Sequence, residues 1–165
     1  MEELKDNTMV CANCNRVVKE DDDFCPECGA IFADDISCEN HKNIPAKGIC
    51  IICSLPYCKK CGVITNGHFL CNIHSNYEIY EGMVRVFGSL NDVDVQYAKS
   101  CLEQVGLHPV VFCRDQPKGG PRFVYSLFEA HGDYLGHIVN EIKLMISTQE
   151  VLKSEEILKS LKILE

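Results

Sequence analysis

Cysteine and histidine residues recur in pairs, two residues apart, through the N-terminal half of this chain. Ten of the twelve cysteines and two histidines form six such pairs within the first 74 residues: Cys11/Cys14, Cys25/Cys28, Cys38/His41, Cys50/Cys53, Cys58/Cys61 and Cys71/His74. This spacing lets both side chains reach one ion, and four ligands complete a tetrahedral zinc site. The twelve ligands therefore predict three Zn²⁺ ions, without which we expect the N-terminal half not to fold.

Many cysteines indicate either a disulfide framework in a secreted domain or a metal site inside the cell. The first ten residues have neither the basic end nor the apolar stretch of a signal peptide. The longest mostly apolar run, 49–56, is far too short to span a bilayer. The sequence therefore predicts a soluble, cytoplasmic protein with reduced thiols and no membrane partner.

The charge balance argues against nucleic acid as the partner. The formal net charge is −8, and residues 1–77 contain seven Lys and Arg against eleven Asp and Glu. Zinc bound to thiolates adds about four further negative charges, counting one Cys₄ and two Cys₃His sites. Because nucleic-acid binders normally neutralise phosphates with a basic patch, we expect a protein partner instead.

The first two pairs, in residues 10–36, are typical of a zinc ribbon. Ten residues separate Cys14 from Cys25, and a structural site with four cysteine ligands is expected. Gly29 directly follows Cys28 and fits the tight, positive-φ turn that closes a zinc knuckle. Gly62 is expected to play the same part after Cys61.

The other eight ligands follow the pattern C-x2-H-x8-C-x2-C-x4-C-x2-C-x9-C-x2-H, and two pairings are open. In the interleaved pairing, one ion is held by Cys38, His41, Cys58 and Cys61, and the other by Cys50, Cys53, Cys71 and His74. In the sequential pairing, the first four ligands hold one ion and the last four hold the other. The short spacer 54–57 favours the interleaved pairing. His68 could compete for the last site, although packing beside Phe69 is the simpler expectation.

This octet resembles a B-box-type zinc finger, a small relative of the RING fold, at all eight ligand positions. The commonest B-box form often ends in two histidines, where this chain has Cys71 and His74. The resemblance implies a cross-braced pair of zinc sites. A ubiquitin-ligase-like role, as in B-box proteins that also carry a RING, is not expected because the sequence has no further RING octet.

From residue 83 the metal motifs stop and longer periodic segments begin. They predict strands at 83–87, 109–114 and 122–130, and helices at 94–105, 134–146 and 150–164, with Gly106 ending the first helix and a loop at 116–121. This β-α-β-β-α-α order is most of a ferredoxin-like α+β sandwich, with a helix in place of the last strand. The expected core faces are Val95, Ala98, Cys101, Leu102 and Val105 in the first helix, and Leu135, Ile138, Val139, Ile142 and Met145 in the second.

The segment 83–146 also resembles a small prokaryotic signal-transducing domain of unknown function. The likeness lies in the first strand (84–87), the helix 96–103 and the step Val105-Gly106-Leu107. It implies a bacterial protein with a regulatory or interaction module, and it offers no catalytic residues to carry over. Cys101 and Cys113 are expected to be structural thiols, and His108, His131 and His137 structural or surface residues.

The predicted organisation is a tail and zinc ribbon (1–36), a B-box-like double zinc finger (37–77), a ferredoxin-like domain (78–147) and a C-terminal amphipathic helix (148–165). That helix carries Leu152, Ile157, Leu158, Leu161 and Leu164, which pack on their own domain or mediate self-association. Four ligands per zinc leave no open position for catalysis. The sequence thus predicts a non-enzymatic adaptor or signalling protein, with nucleic-acid binding and redox or zinc sensing as alternatives.

Overall fold

The computed structural model describes residues 8–113, 133–134, 137–138 and 141–164. Its contacts divide the chain into two compact units, Met1–Tyr77 and Glu78–Glu165. The chain is a small α+β protein in which the cysteine and histidine pairs all belong to the first unit. The predicted strand 122–130, the loop 116–121 and His131 lie outside the described residues.

The first unit is built from short antiparallel hairpins rather than from long elements. Its strands are β1 (Thr8–Val10), β2 (Val17–Lys19), β3 (Gly48–Ile49), β4 (Pro56–Tyr57), β5 (Gly62–Thr65) and β6 (His68–Cys71), paired β1–β2, β3–β4 and β5–β6. Hairpins this short are not stable alone in water. Two of them, β1–β2 and β3–β4, flank the ligand pairs Cys11/Cys14 and Cys50/Cys53, where a metal ion can supply the missing stability.

Phe69 on β6 fills the centre of this unit and is 4% exposed. A Cβ atom placed on Gly48 would lie 2.4 Å from the Phe69 ring, and one on Gly62 would lie 2.5 Å from it. Gly29 has the predicted positive φ, +78°. The expectation that Gly62 also closes its knuckle with a positive φ was wrong, because Gly62 lies in β5 without a positive φ. A glycine is needed there because a side chain would collide with the Phe69 ring.

The second unit holds a four-stranded antiparallel sheet. Its elements are β7 (Ile79–Tyr80), β8 (Met83–Ser89), α1 (Asp92–Gln104), β9 (Val110–Cys113), β10 (Asp133–Tyr134), β11 (His137–Ile138), β12 (Ile142–Ser147), a 3₁₀ turn (Thr148–Glu150) and α2 (Val151–Ser160). The sheet order is β7-β8-β12-β9, and β10 pairs with β11 separately. Helix α1 packs on β8 and β12, while α2 contacts α1 and β8.

The first predicted strand and helix of this unit are confirmed. Asn91 caps α1 by accepting a hydrogen bond from the Val93 N–H at 3.1 Å. At the other end, Gly106 has φ +79°, and the Leu107 N–H reaches the Leu102 carbonyl as in a Schellman motif. The buried face is formed by Val95, Ala98 and Leu102. Two residues that were expected on this buried face are not fully buried. Cys101 is half-buried, and Val105, just past the last turn, is 45% exposed.

The helix predicted at 134–146 is wrong wherever the structure describes that segment. Residues 133–134 and 137–138 are strands, and Ile142–Ser147 is the central strand β12, paired with both β8 and β9. All residues from Ile142 to Ile146 are buried, so both faces of β12 are covered, and a strand buried on both faces reads as a nearly continuous apolar run. Apart from Lys143, this run has that character, and spacing alone does not separate it from a buried helix. Leu135 and Val139 lie outside the described residues.

A two-residue turn adds an edge strand that the sequence reading missed. Glu81 and Gly82 have φ of +49° and +76° and join β7 to β8, with Tyr80 paired to Met83. Positive φ at both central residues is what a type I′ hairpin needs. The fourth strand of the sheet therefore comes from residues just before 83, where no strand was predicted.

The last helix is present, but its buried face differs from the predicted stripe. Val151, Ser154 and Leu158 are buried, whereas Leu152 and Leu161 are each 44% exposed. Val151 opens the helix against the unit's core, and the positions three and seven residues later fall on the same face. No described helix is long and apolar enough to cross a membrane.

Candidate metal centres

The structure groups the twelve predicted ligands into three sets of four. They are Cys11, Cys14, Cys25 and Cys28 in site 1; Cys38, His41, Cys58 and Cys61 in site 2; and Cys50, Cys53, Cys71 and His74 in site 3. Within each set the ligand atoms lie within 4.8 Å of one another. Of the two pairings left open for sites 2 and 3, the structure has the interleaved one.

The distances between ligand atoms fit a tetrahedral zinc ion. With Zn–S near 2.3 Å and Zn–N near 2.05 Å, a regular tetrahedron places two sulfurs about 3.8 Å apart and a sulfur and a nitrogen about 3.6 Å apart. In site 1, Cys11 Sγ lies 3.7 Å from Cys28 Sγ, and Cys14 Sγ lies 3.6 Å from Cys25 Sγ. These four thiols therefore surround a space of the correct size for zinc.

Both ligand histidines present Nδ1 to their sites. His41 Nδ1 lies 3.7, 3.6 and 3.3 Å from the sulfurs of Cys38, Cys58 and Cys61. His74 Nδ1 lies 3.5 Å from Cys50 Sγ and 3.2 Å from Cys71 Sγ. Three sulfurs and one nitrogen give each of these sites the donor set of a structural Cys₃His zinc centre. The three clusters thus fit three zinc ions, and all twelve cysteines are free of disulfide bonds.

Backbone N–H groups hydrogen-bond to the sulfurs that open three of the knuckles. In site 1, Cys11 accepts from Asn13 and Cys14, and Cys25 accepts from Glu27 and Cys28. In site 3, the acceptor is Cys50 and the donors include Ile52 and Cys53. These donors lie two and three residues after the cysteine, which is the direct result of the tight C-x2-C turn. They stabilise thiolate, the form that binds metal.

Without a metal ion, the thiols of one site differ in their pKa values. A hydrogen bond from the Cys53 thiol lowers the pKa of Cys50 to about 4 and correspondingly raises the pKa of Cys53. In site 1, burial raises the pKa of Cys25 to about 12. Such clusters share protons among crowded sulfurs, and a divalent cation at their centre stabilises all of them as thiolates.

Three knuckles continue into a residue with left-handed backbone. Asn15, Gly29 and Ser54 follow Cys14, Cys28 and Cys53, with φ of +58°, +78° and +58°. Of these, only Gly29 was identified from the sequence. Asn tolerates this conformation through its short polar side chain, which is a usable sequence signal, whereas Ser54 carried none.

Tyr57 is a further residue of site 3 that the sequence analysis missed. Its hydroxyl lies 3.9 Å from Cys53 Sγ, and the side chain is buried. Burial, followed by the contact with Cys53, raises the pKa of Tyr57, so the hydroxyl keeps its proton. A neutral hydroxyl beside a metal-bound thiolate donates to it, as the supporting partners of metal ligands commonly do.

The two Cys₃His sites differ in their exposure to solvent. His41 of site 2 is exposed, whereas His74 of site 3 is 8% exposed and packs against the Tyr77 ring, with ring centroids 5.5 Å apart. Site 2 is therefore open to solvent on its histidine side, whereas site 3 is closed on its histidine side and has one half-buried ligand, Cys53.

His68 is not a ligand in this structure. Its Nδ1 lies 2.7 Å from the Glu27 carbonyl oxygen, to which the ring donates, and this bond connects β6 to the second knuckle of site 1. Cys101 and Cys113 are half-buried and belong to none of the three sets. His108 is a surface residue whose Nδ1 lies 3.0 Å from the Glu150 carboxylate.

Comparison with protein-family models, curated proteins and solved structures finds no match for this chain.

Proposed function

We propose that the protein is a non-enzymatic, zinc-dependent adaptor that binds a protein partner in the bacterial cytoplasm. The observation that carries this proposal is the closed donor set of each centre. Four protein ligands satisfy a tetrahedral zinc ion, which leaves no position for the water or substrate that a catalytic zinc ion needs. Zinc in such a site contributes to folding and shapes a surface.

The way the three sites are connected supports a scaffold role. The Ile49 N–H donates to the Gly29 carbonyl at 2.8 Å, and the Ile51 N–H donates to the Phe69 carbonyl at 3.2 Å. The residues around site 1 are thereby bonded to the hairpins that carry sites 2 and 3. A rigid arrangement of this kind suits the presentation of a fixed surface to another protein.

We infer further that site 1 belongs to a zinc ribbon and that sites 2 and 3 form a B-box-type cross-brace. The interleaved ligand sets support the second assignment. For the second unit we propose a ferredoxin-like regulatory domain. Its β8-α1-β9 order and the placement of β12 between β8 and β9 are compatible with that topology, with β7 standing where the missing last strand would lie.

Redox or zinc sensing is the second candidate function, favoured by the exposure of His41. Peroxide oxidises two thiolates of a site to a disulfide while it is itself reduced to water, and the zinc ion leaves. Zinc release by mild peroxide, with the C-terminal unit still folded, would support this candidate over a purely structural role. Nucleic-acid binding has the charge balance against it.

The experiment that tests the adaptor proposal measures both the zinc content of the chain and its binding to a partner. The chain is purified with zinc, its zinc is counted by atomic emission, and metal-loaded and metal-stripped forms are used as bait in a pull-down. We expect three zinc ions per chain and a partner retained only by the loaded form. Fewer than three zinc ions, or equal retention by both forms, would refute the proposal.

A further inference from the structure

A groove of about 340 Å³ lies beside site 2, between residues 44–47 and 58–60. Its floor is apolar, with Ile44, Pro45 and Ala46 among the lining residues, and Ile44 is 38% exposed. Lys47, Lys59 and Lys60 line the same groove and are exposed. An apolar cavity lined in part by charged residues is the usual form of a binding site.

Site 2 holds both walls of this groove. On one wall, the Ile44 N–H donates to the His41 carbonyl, and the Cys38 N–H donates to the Ile44 carbonyl, both at 2.9 Å. On the other wall, Cys58 is itself a ligand and lines the groove. The groove therefore has its shape only while Cys38, His41 and Cys58 are held around one ion.

The positive charge of the groove stands out in an acidic chain. Residues 1–36 contain three Lys and Arg against ten Asp and Glu, whereas residues 37–61 contain four lysines and one acidic residue. That acidic residue, Glu39, pairs with Lys42 at 3.3 Å. Even with the net −1 of a zinc-loaded site 2 counted, residues 37–61 keep an excess of positive charge, carried mainly by the three groove lysines. The complement of this charge is a carboxylate-bearing ligand.

We propose that this groove binds an acidic segment of a partner protein that inserts an aliphatic side chain between the walls. Carboxylates of the segment would pair with Lys47, Lys59 and Lys60, and the apolar side chain would cover Ile44. A single-stranded nucleic acid fits less well, because none of the described residues that line the groove is aromatic and could stack on a base. The proposal rests on the proposed adaptor function and names the class of segment that the adaptor takes.

The test uses the zinc-loaded full chain and a blocked nine-residue peptide in which Leu alternates with Asp and Glu. Calorimetry gives its affinity, and backbone NMR shifts show where it binds. We expect shifts at residues 44–47 and 58–60, weaker binding in high salt, and at least about tenfold weaker binding of the peptide in which Asn and Gln replace the acids.

Substitutions test whether the peptide binds in the groove. Lys59→Glu with Lys60→Glu should weaken binding at least about tenfold, and Lys59→Gln with Lys60→Gln should weaken it less. Ile44→Ser should weaken binding without changing its salt dependence. Lys19→Glu with Lys153→Glu makes the same charge change on exposed residues outside the groove and should leave binding unchanged. Zinc content and the NMR spectrum establish that each variant is folded.

Three outcomes would overturn the proposal while three zinc ions remain bound. They are equal peptide binding by the groove variants and the wild type, tighter binding of a single-stranded oligonucleotide through the same lysines, and concentration-dependent dimerisation that the groove variants abolish. A zinc content below three would instead refute the adaptor function itself. The two failures are therefore distinguishable.

Discussion

The backbone N–H of Phe69 donates a hydrogen bond to the carbonyl of Cys28 at 2.9 Å. This bond joins the hairpin that leads to Cys71 of site 3 with the second knuckle of site 1. The Phe69 ring lies at the same place against Gly48 and Gly62. One residue thus connects the backbone of one zinc centre to the packing around the other two.

Replacing Phe69 should therefore weaken the whole N-terminal unit. We expect Phe69→Ala to lower its free energy of unfolding by about 3–5 kcal/mol, the usual loss for a large buried aromatic side chain. Thermal unfolding at fixed zinc concentration measures the change. Ile73→Ala, at a position 80% exposed in the same unit, is the control and should change stability by less than about 0.5 kcal/mol. Equal effects would contradict the central role of Phe69.

Two glycines of the β5–β6 hairpin should respond differently to alanine. At Gly62 the new methyl group would lie 2.5 Å from the Phe69 ring, whereas at Gly67, with φ +81°, it would meet nothing within 4 Å. Gly67→Ala should cost about 1–2 kcal/mol of backbone strain. Gly62→Ala should cost more than Gly67→Ala, because it displaces a buried ring. Denaturant unfolding of both variants checks the order, and the reverse order would show that the ring adjusts freely.

Tyr57→Phe should weaken zinc binding at site 3 and leave the other two sites unchanged. The substitution keeps the buried ring and removes only the hydroxyl near Cys53 Sγ. Loss of such a supporting hydrogen bond costs about tenfold or more in metal affinity. Competition with a chromogenic chelator measures the affinity of each zinc ion. Tyr80→Phe, at a surface position of the second unit, provides the control. An unchanged zinc affinity of site 3 in Tyr57→Phe would show that the Tyr57 hydroxyl does not support this site.

Site 2 should lose zinc first under mild chelation, because His41 is exposed and His74 is enclosed. Zinc-bound thiolates resist alkylation, so brief chelation followed by N-ethylmaleimide should label Cys38, Cys58 and Cys61 before the other ligands. Mass spectrometry of the digested protein identifies the labelled residues. Earlier labelling of Cys50 or Cys71 would show that exposure of the histidine does not set the order of release.

The carboxyl group of Glu150 gives the second unit a predicted pH dependence. Hydrogen bonds from His108 lower the pKa of Glu150 in the folded protein. A carboxyl group whose pKa is lower in the folded protein than in the unfolded chain stabilises the fold at pH values above the unfolded pKa. This stabilisation is lost as the pH falls from the unfolded pKa through the folded pKa. Stability of the C-terminal unit should therefore decrease below about pH 4.5, the unperturbed value. His108→Ala should reduce this acid dependence, as measured by denaturant unfolding at several pH values.

The metal ligands were predictable because their chemistry is local. A C-x2-C pair fixes its own turn, so the residues of all three sites followed from spacing, and the four-residue spacer before Cys58 favoured the interleaved pairing. Tyr57 could not be found this way. Its hydroxyl reaches Cys53 only because the hairpin β3–β4 folds back, and spacing carries no information about that approach.

The sheet of the second unit shows where pattern reading fails. The strand β8 and the helix α1 have clear periods, a cap at Asn91 and a stop at Gly106, and both were predicted. The segment 142–147 has no such period, because residues on both of its faces are buried. Its pairing partners β8 and β9 come from earlier in the chain, and the local pattern does not reveal them. Gly62 was misread for a related reason. A glycine is needed there to leave room for the Phe69 ring, which is close in space but not adjacent in sequence.

The interleaving of sites 2 and 3 sets an order for events during synthesis. Site 1 has all its ligands once Cys28 has left the ribosome, but site 2 must wait for Cys61 and site 3 for His74. Between those points, Cys50 and Cys53 are available to an ion that already has Cys38 and His41 beside it. We therefore expect zinc that arrives before Cys61 has emerged to favour the sequential pairing over the interleaved one.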